Sequence, residues 1–258
     1  MNILFLGDVF GKPGRRAVAE LLPALRKELE VDFCIANGEN AAGGAGINRD
    51  VVAELLAGGI DVLTGGNHSW DRREGYQVLD DELSVLRPAN YSGEAPGRGV
   101  GVYSCANERV AVINLVGRIF LPPVDCPFQS VDSILETLVS VTPIIVVDLH
   151  AEATSEKQAI GWYLDGRVSL VVGTHTHVQT SDAHILPRGT AFITDAGMTG
   201  PHDSIIGVRK ELALQRLRTH LPVRYQPADA GIRLEGLWVR CDPASGRAEA
   251  VQAIRRPL

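Results

Sequence analysis

The stretch PIIVVDLHAEATSEKQAIGWYLDGRVSLVVGTHTH, residues 143–177, contains two apolar runs separated by a segment with helical character. The runs at 143–149 and 168–173 have the length and composition of buried strands, and residues 155–165 between them read as a helix. A strand, a helix and a second strand in this order predict a βαβ unit with parallel strands. This unit indicates an α/β protein.

The N-terminal third shows the same alternation. Helices are predicted where valine and leucine recur at helical spacing, and strands where short apolar runs end in glycine or a polar residue. The predicted strands are 2–7, 32–37 and 61–65, and the predicted helices are 14–29 and 48–57. The pair Gly58-Gly59 is expected to end the second helix.

Hairpins and a few further helices account for the remainder. Two strands around a tight turn near Asn107 form one predicted hairpin, and the turn DPASG at 242–246 joins another. Helices are expected at about 130–140 and near 209–219. No linker or internal repeat divides the chain, so we predict a single domain over residues 1–258 with mixed sheets.

Composition excludes several classes of protein. The 258 residues are 45% hydrophobic and 22% charged, which is typical of a globular protein, and no run of about 18 apolar residues suggests a membrane span. The N-terminus MNILFLGD reads as a first strand and not as a signal peptide, so a cytoplasmic location is predicted. A formal net charge of −6 argues against binding long nucleic acid. The four cysteines are scattered and are expected to be buried free thiols.

Polar side chains that can bind metals follow five of the apolar strands. They are Asp8, Glu39, Asn40, Asn67, His150, His175 and His177, with His68 beside Asn67. The carboxyl ends of the strands in an open α/β sheet form its ligand-binding edge, so these side chains should converge if the strands are neighbours. Taken singly, Asp8 could be a loop cap and His150 an ordinary buried histidine, but four of the seven histidines lie at these ends.

The chemistry of this set predicts a pair of metal ions. Carboxylate, amide and imidazole ligands without thiolate suit iron, manganese or zinc. Seven ligands exceed the three that a catalytic zinc takes and suit two ions bridged by one carboxylate, for which Glu39 is the natural choice. Rival motifs fail: GDVFGK lacks P-loop spacing, and GGAGIN (43–48) lacks the third glycine of a dinucleotide site.

Five motifs in order resemble one known family. They are GDVFGKPGRR (7–16), ANGENAAGG (36–44), TGGNHSWD (64–71), VDLHAEATSEK (147–157) and VGTHTHVQT (172–180). The chain from residue 3 to about 210 resembles the calcineurin-like metallophosphoesterase superfamily, in its YmdB-like branch of bacterial cyclic-nucleotide phosphodiesterases. The resemblance implies a four-layer α/β/β/α sandwich of two mixed sheets.

The same resemblance implies how the ligands divide. One metal would take Asp8, Glu39, Asn40 and His177, and the other Glu39, Asn67, His150 and His175, with His68 as proton donor. The implied metals are iron, with manganese possible. The superfamily motif DxH reads Asp8-Val9-Phe10 here, so a histidine ligand is missing and Asn40 would replace it.

The function implied by this resemblance is hydrolysis of 2′,3′- and/or 3′,5′-cyclic nucleotides by a hydroxide that bridges the metals. A broader phosphatase or nuclease, a nucleotide-sensing module with slow turnover and a structural metal site remain alternatives. The predicted partner is a small cyclic nucleotide, and a homo-oligomer is possible. Asp71 could orient His68 or cap a helix; Arg72, Arg73 and Arg118 could contact phosphate or simply be solvated.

Overall fold

The structure is a computed structural model that describes residues 1–258, in which thirteen strands and six helices form. The strands are β1 (Asn2–Leu6), β2 (Asp8–Val9), β3 (Phe33–Asn37), β4 (Val62–Thr64), β5 (Val100–Cys105), β6 (Glu108–Val116), β7 (Ile144–His150), β8 (Leu170–Thr174), β9 (His184–Ile185), β10 (Ala191–Ile193), β11 (Met198–Pro201), β12 (Ile232–Cys241) and β13 (Ala248–Pro257). The helices are α1 (Gly11–Glu28), α2 (Arg49–Ala57), α3 (Arg73–Asp81), α4 (Pro127–Leu138), α5 (Thr154–Leu164) and α6 (Lys210–Thr219).

The strands form two mixed sheets. The first has the order β2-β11-β12-β1-β3-β4, with β13 also paired to β12, and within it β1, β3 and β4 are parallel. The second has the order β5-β6-β7-β8-β10-β9, in which β6, β7, β8 and β10 are parallel. Each sheet therefore collects the carboxyl ends of several strands at a single edge.

Alternation of apolar residues along the strands builds the layers. In β1, Ile3 and Phe5 pack between the sheets, whereas Leu4 and Leu6 belong to the core beneath α1 and α2. In β7, Ile144 and Val146 face the first sheet, whereas the alternate residues, from Ile145 to Leu149, pack with α4 and α5. Because strand side chains alternate between faces, each sheet buries both of them. The predicted α/β/β/α sandwich is confirmed.

Most predicted elements form within about three residues of the expected bounds. Asn48 caps α2 through its side chain, which accepts a hydrogen bond from the backbone of Val51, and Gly58 ends the helix. The turn near Asn107 joins β5 to β6 as predicted. Helix α3 was not predicted, because its only large buried side chains are Val78 and Leu79, too few for a visible periodic pattern.

Two other expectations have different outcomes. All four cysteines are free, but only two of them, Cys34 and Cys241, are fully buried, and the other two are partly exposed. None of the helices combines the length and the apolar character needed to cross a lipid bilayer. The single-domain organisation stays a prediction.

Candidate metal centre

The seven strand-end side chains lie together where the two sheets meet. We call them the strand-end cluster: Asp8, Glu39, Asn40, Asn67, His150, His175 and His177. Asp8 follows β1, Glu39 follows β3 and Asn67 follows β4, while His150 ends β7 and His175 follows β8. The parallel order within each sheet and the packing of the two sheets bring together every metal ligand predicted from the sequence.

One half of the strand-end cluster surrounds the side chain of Asn40. Its amide Nδ2 is 3.3 Å from Asp8 Oδ1, 3.1 Å from Glu39 Oε1 and 3.2 Å from His177 Nε2. The amide has only two hydrogens to offer three acceptors, so at least one acceptor is left without a donor. Rotation of this amide would turn Oδ1 inward, and all four groups could then bind one cation.

The other half surrounds Nε2 of His150. This nitrogen lies 3.1 Å from Asn67 Oδ1, 3.0 Å from His175 Nδ1 and 3.1 Å from Glu39 Oε1. A single ring nitrogen carries at most one proton, so it cannot satisfy three acceptors. Glu39, His150 and His175 offer ligand atoms that all lie within 4.8 Å of one another, and the group could hold a metal ion.

Glu39 links the two halves. Its Oε1 contacts both Asn40 Nδ2 and His150 Nε2, each at 3.1 Å, while its Oε2 accepts a hydrogen bond of 2.9 Å from the backbone N–H of His68. The carboxylate is 1% exposed, so its negative charge is screened by the protein alone. Glu39 therefore contacts both ligand sets and could be shared between them.

Each histidine of the strand-end cluster is held by its outer ring nitrogen. His150 Nδ1 lies 2.9 Å from Thr174 Oγ1, and His177 Nδ1 donates to the backbone carbonyl of Ile206 at 2.9 Å. His175 Nε2 lies 3.1 Å from a carboxylate oxygen of Glu152. Anchoring one nitrogen to an acceptor directs the lone pair of the other into the cluster, as in metal-binding histidines generally.

The Thr174 hydroxyl extends this anchoring into the buried interior. It donates to Asp148 Oδ1 at 2.7 Å, and Asp148 also accepts from Thr64 Oγ1 at 2.5 Å. Asp148 is fully buried, and burial raises its pKa to about 6. The orientation of His150 thus depends on a chain of hydrogen bonds that begins with the acid two residues earlier in β7.

The loop that carries His175 and His177 has an unusual backbone. Both residues have positive φ, at 99° and 63°, a region that is uncommon for residues other than glycine. Thr176 between them donates to Asp195 Oδ2 from its backbone N–H at 3.1 Å and from its hydroxyl at 2.7 Å. Asp195 is in turn paired with the buried Lys157 at 2.7 Å. The buried ion pair thereby fixes the loop.

Charges in the strand-end cluster compensate one another. Burial favours the neutral forms of Asp8 and Glu39, but the nearby His177 and His150 outweigh it and hold the pKa of both carboxyl groups below its usual range. Against the effect of burial, the same pairs raise the pKa of His150 and His177. Burial and the charge of His150 lower the pKa of His175 to about 4. Bound divalent cations would replace protons as the partners of both carboxylates.

His68 lies outside this charged interior. Its side chain is 39% exposed, and its Nδ1 is 2.7 Å from Asp71 Oδ2. Helix α3 begins at Arg73, and Arg72 rather than Asp71 occupies its N-cap position. Asp71 therefore contacts His68, as one of the two interpretations anticipated, and does not cap the helix.

The three arginines that could have contacted phosphate do not line the cavity at the strand-end cluster. The Arg72 guanidinium donates to the backbone carbonyls of Ala42 and Ala45, so it supports the glycine-rich loop and is not merely solvated. Arg73 and Arg118 are exposed.

Four positioning residues were not identified from the sequence. Glu152 stands inside the motif DLHAE, where the spacing from His150 could have suggested a role. Asp148 lies in an apolar run and would be noticed only as a charge at a buried strand position. Lys157 and Asp195 are distant in sequence, and no local pattern connects them.

A family model described as "YmdB-like protein" matches residues 4–254 of the chain. The chain belongs to the YmdB-like family. The predicted resemblance is therefore confirmed over nearly the whole length. A relative from Bacillus subtilis, the 2′,3′-cyclic-nucleotide 2′-phosphodiesterase, is 47% identical over 254 residues, which cover 98% of this chain and 96% of the relative.

Solved structures of similar sequence have the same fold as this YmdB-like chain. A hypothetical protein from Thermus thermophilus is 42% identical, with a TM-score of 0.94, and the match covers 100% of this chain and 99% of that one. A novel phosphatase from Mycoplasma pneumoniae is 30% identical, also with a TM-score of 0.94, and the match covers 100% of this chain and 93% of that one.

Proposed function

We propose that this protein is a dinuclear metal phosphodiesterase that hydrolyses cyclic nucleotides, with 2′,3′-cyclic nucleotides as its main substrates. The observation that carries the proposal is the pair of ligand sets joined at Glu39 Oε1, with each histidine anchored from outside. The enzyme class, a phosphoric diester hydrolase, is confirmed through the 47% identical Bacillus subtilis relative and the family match.

In the proposal one metal ion is bound by Asp8, Glu39, Asn40 and His177. The other is bound by Glu39 with Asn67, His150 and His175. When bound, two such ions would neutralise charge on the phosphoryl oxygens and make water a stronger nucleophile at neutral pH. The absence of thiolate ligands suits iron, manganese or zinc. The family resemblance makes iron the first choice, with manganese possible.

The protein's own residues would then complete the reaction. His68 stands beside the strand-end cluster with Nδ1 directed at Asp71. This contact leaves Nε2 to donate a proton to the ribose oxygen as the phosphorus–oxygen bond breaks. The backbone N–H of His68 also binds Glu39, so the proton donor and the proposed bridging carboxylate keep a constant spacing.

Two variants test this division of roles. His150→Ala should lose both metal and turnover, because it removes the centre of one ligand set. His68→Ala should retain metal and lose rate by roughly 10²- to 10⁴-fold, the usual contribution of general acid catalysis. The exposed histidine of β9 provides the control His184→Ala, which should change neither the metal content nor the rate. Loss of metal from His68→Ala would contradict the proton-donor role.

A substrate panel tests the specificity. Wild-type protein with measured metal content should hydrolyse 2′,3′-cyclic nucleotides faster than 3′,5′-cyclic nucleotides or 5′-nucleotides, and chelation should abolish activity. The phosphatase from Mycoplasma pneumoniae favours a second reading, in which monoesters are the better substrates. Preference for 5′-nucleotides would support that reading. Full activity after complete metal removal would exclude the two-metal mechanism.

A further inference from the structure

A cavity of about 360 Å³ opens directly onto the strand-end cluster. His68, His175 and His177 form one side of it. The apolar and aromatic part of the lining consists of Phe10, Ile206, Val208, Tyr225 and Pro227. The proposed metal ligands explain the polar part of the lining, but metal binding does not require the apolar wall formed by the other residues. Ligand sites with this division usually bind an apolar group beside a few polar anchors.

Ile206 is held in this wall at a conformational cost. Its φ is 46°, a conformation that is a clear outlier for a β-branched residue, and its side chain is 55% exposed. Mutual backbone hydrogen bonds between Ile205 and Val208 close the turn, and the carbonyl of Ile206 accepts from His177. Strained residues of this kind are frequent where a protein contacts a ligand. A strained apolar side chain left facing solvent is expected to serve binding and not stability.

Tyr225 offers a flat surface beside it. The residue is 44% exposed, and the Arg216 guanidinium lies over its ring at 5.5 Å from the ring centroid. The cation occupies one face of the ring, and Tyr225 is among the residues that line the cavity. An aromatic face with a cation behind it is well suited to stack on a heterocycle.

We infer that Ile206 and Tyr225 form a nucleobase subsite, which holds the base while the phosphodiester lies at the strand-end cluster. The inference rests on the proposed function and extends it to the part of the substrate that does not react. Apart from the cluster side, only Tyr225 and Gln226 bring side-chain hydrogen-bonding groups to the cavity. Recognition by stacking tolerates every base, so we expect broad base specificity with purines bound more tightly than pyrimidines.

The test compares a nucleotide with a substrate that has no base. Adenosine 2′,3′-cyclic phosphate and methyl riboside 2′,3′-cyclic phosphate share the reacting group. Tyr225→Ala should lower kcat/KM about 5- to 150-fold for the nucleotide, through KM, because stacking on an aromatic side chain is lost. For the base-free substrate, kcat/KM should change by less than about twofold. Tyr225→Phe, which keeps the ring, should behave as wild type.

Tyr76→Ala is the matched control, because Tyr76 is 43% exposed and lies on α3, outside the cavity. It should leave both substrates unaffected. Equal losses on both substrates in Tyr225→Ala, or no loss on either, would overturn the subsite. Equilibrium dialysis with adenosine, which carries no phosphate ester, measures the same subsite without turnover. If the wild type hydrolyses neither cyclic substrate but binding still weakens in Tyr225→Ala, the proposed function fails and the subsite stands.

Discussion

Replacing Lys157 by methionine should both destabilise the protein and weaken metal binding at the proposed centre. The Lys157 ammonium and the Asp195 carboxylate are 2.7 Å apart, and their side chains are 1% and 0% exposed. Methionine has a similar volume and keeps the packing of α5, so the change mainly removes a charge. Asp195 would then remain buried with only neutral donors, among them both polar groups of Thr176.

The expected loss in the free energy of unfolding is about 3–5 kcal/mol, the usual consequence of leaving one partner of a buried ion pair without the other. Urea denaturation followed by circular dichroism measures it. The matched control is Arg16→Met, which breaks an exposed i,i+4 pair with Glu20 and should cost less than about 1 kcal/mol. The double variant Lys157→Met, Asp195→Asn should recover part of the loss, because no buried charge remains unpaired.

The loop of His175 and His177 supplies a second measurement. If Asp195 holds this loop in its positive-φ conformation, Lys157→Met should also reduce metal content at a fixed free metal concentration. A destabilisation no larger than that of Arg16→Met would refute the reasoning on the buried pair. A large destabilisation with unchanged metal content would show that the ion pair stabilises the fold but is not needed to hold the loop for metal binding.

Two further changes test the close packing and the charge of the fold. Gly66→Ala should abolish metal binding, measured by metal analysis, because a Cβ there would overlap both Glu39 and His150, whereas the control Gly93→Ala meets nothing within 4 Å. Asp182 is partly buried, yet hydrogen bonds from two threonine hydroxyls outweigh burial and lower its pKa. The ionised Asp182 carboxylate should stabilise the folded protein above a pH of about 4. This stabilisation should be lost as the pH falls through the lowered pKa that Asp182 has in the folded state. The urea midpoint of Asp182→Asn should therefore lie below wild type at pH 7 and approach it in acid; a constant difference would contradict this.

The strand ends could be predicted from the sequence because two local signals coincide there. A short apolar run marks a strand, and a polar residue of metal-binding type directly after it marks the strand's carboxyl end. His150 after IIVVDL and His175 after SLVVG show the pattern most clearly. Within each sheet, convergence follows once the strands are parallel neighbours, which the βαβ order already favours. The members of the strand-end cluster could therefore be predicted from the sequence without knowledge of the order of strands in either sheet.

The residues that hold the strand-end cluster in place could not be predicted from the sequence in this way. Asp195 reaches the loop of Thr176 only because β8 and β10 are adjacent in the second sheet, an order that the sequence does not reveal. Tyr225 and Ile206 lie in irregular segments on either side of α6, where no periodicity indicates what they face. Long-range pairing places these residues, whereas local patterning places the ligands.

Phe10 stands where a histidine ligand is missing and also belongs to the apolar wall of the cavity. It occupies the position where the superfamily motif has a histidine, is 5% exposed, and meets the ring of His177 edge-on at 5.6 Å between centroids. Its ring packs with Met198 and Val208 and also lines the cavity. A histidine here would add a ligand but bring a polar ring into this packing. With phenylalanine, the proposed ligand set would depend on Asn40 from the neighbouring strand end, and the site gains an apolar surface beside the strand-end cluster.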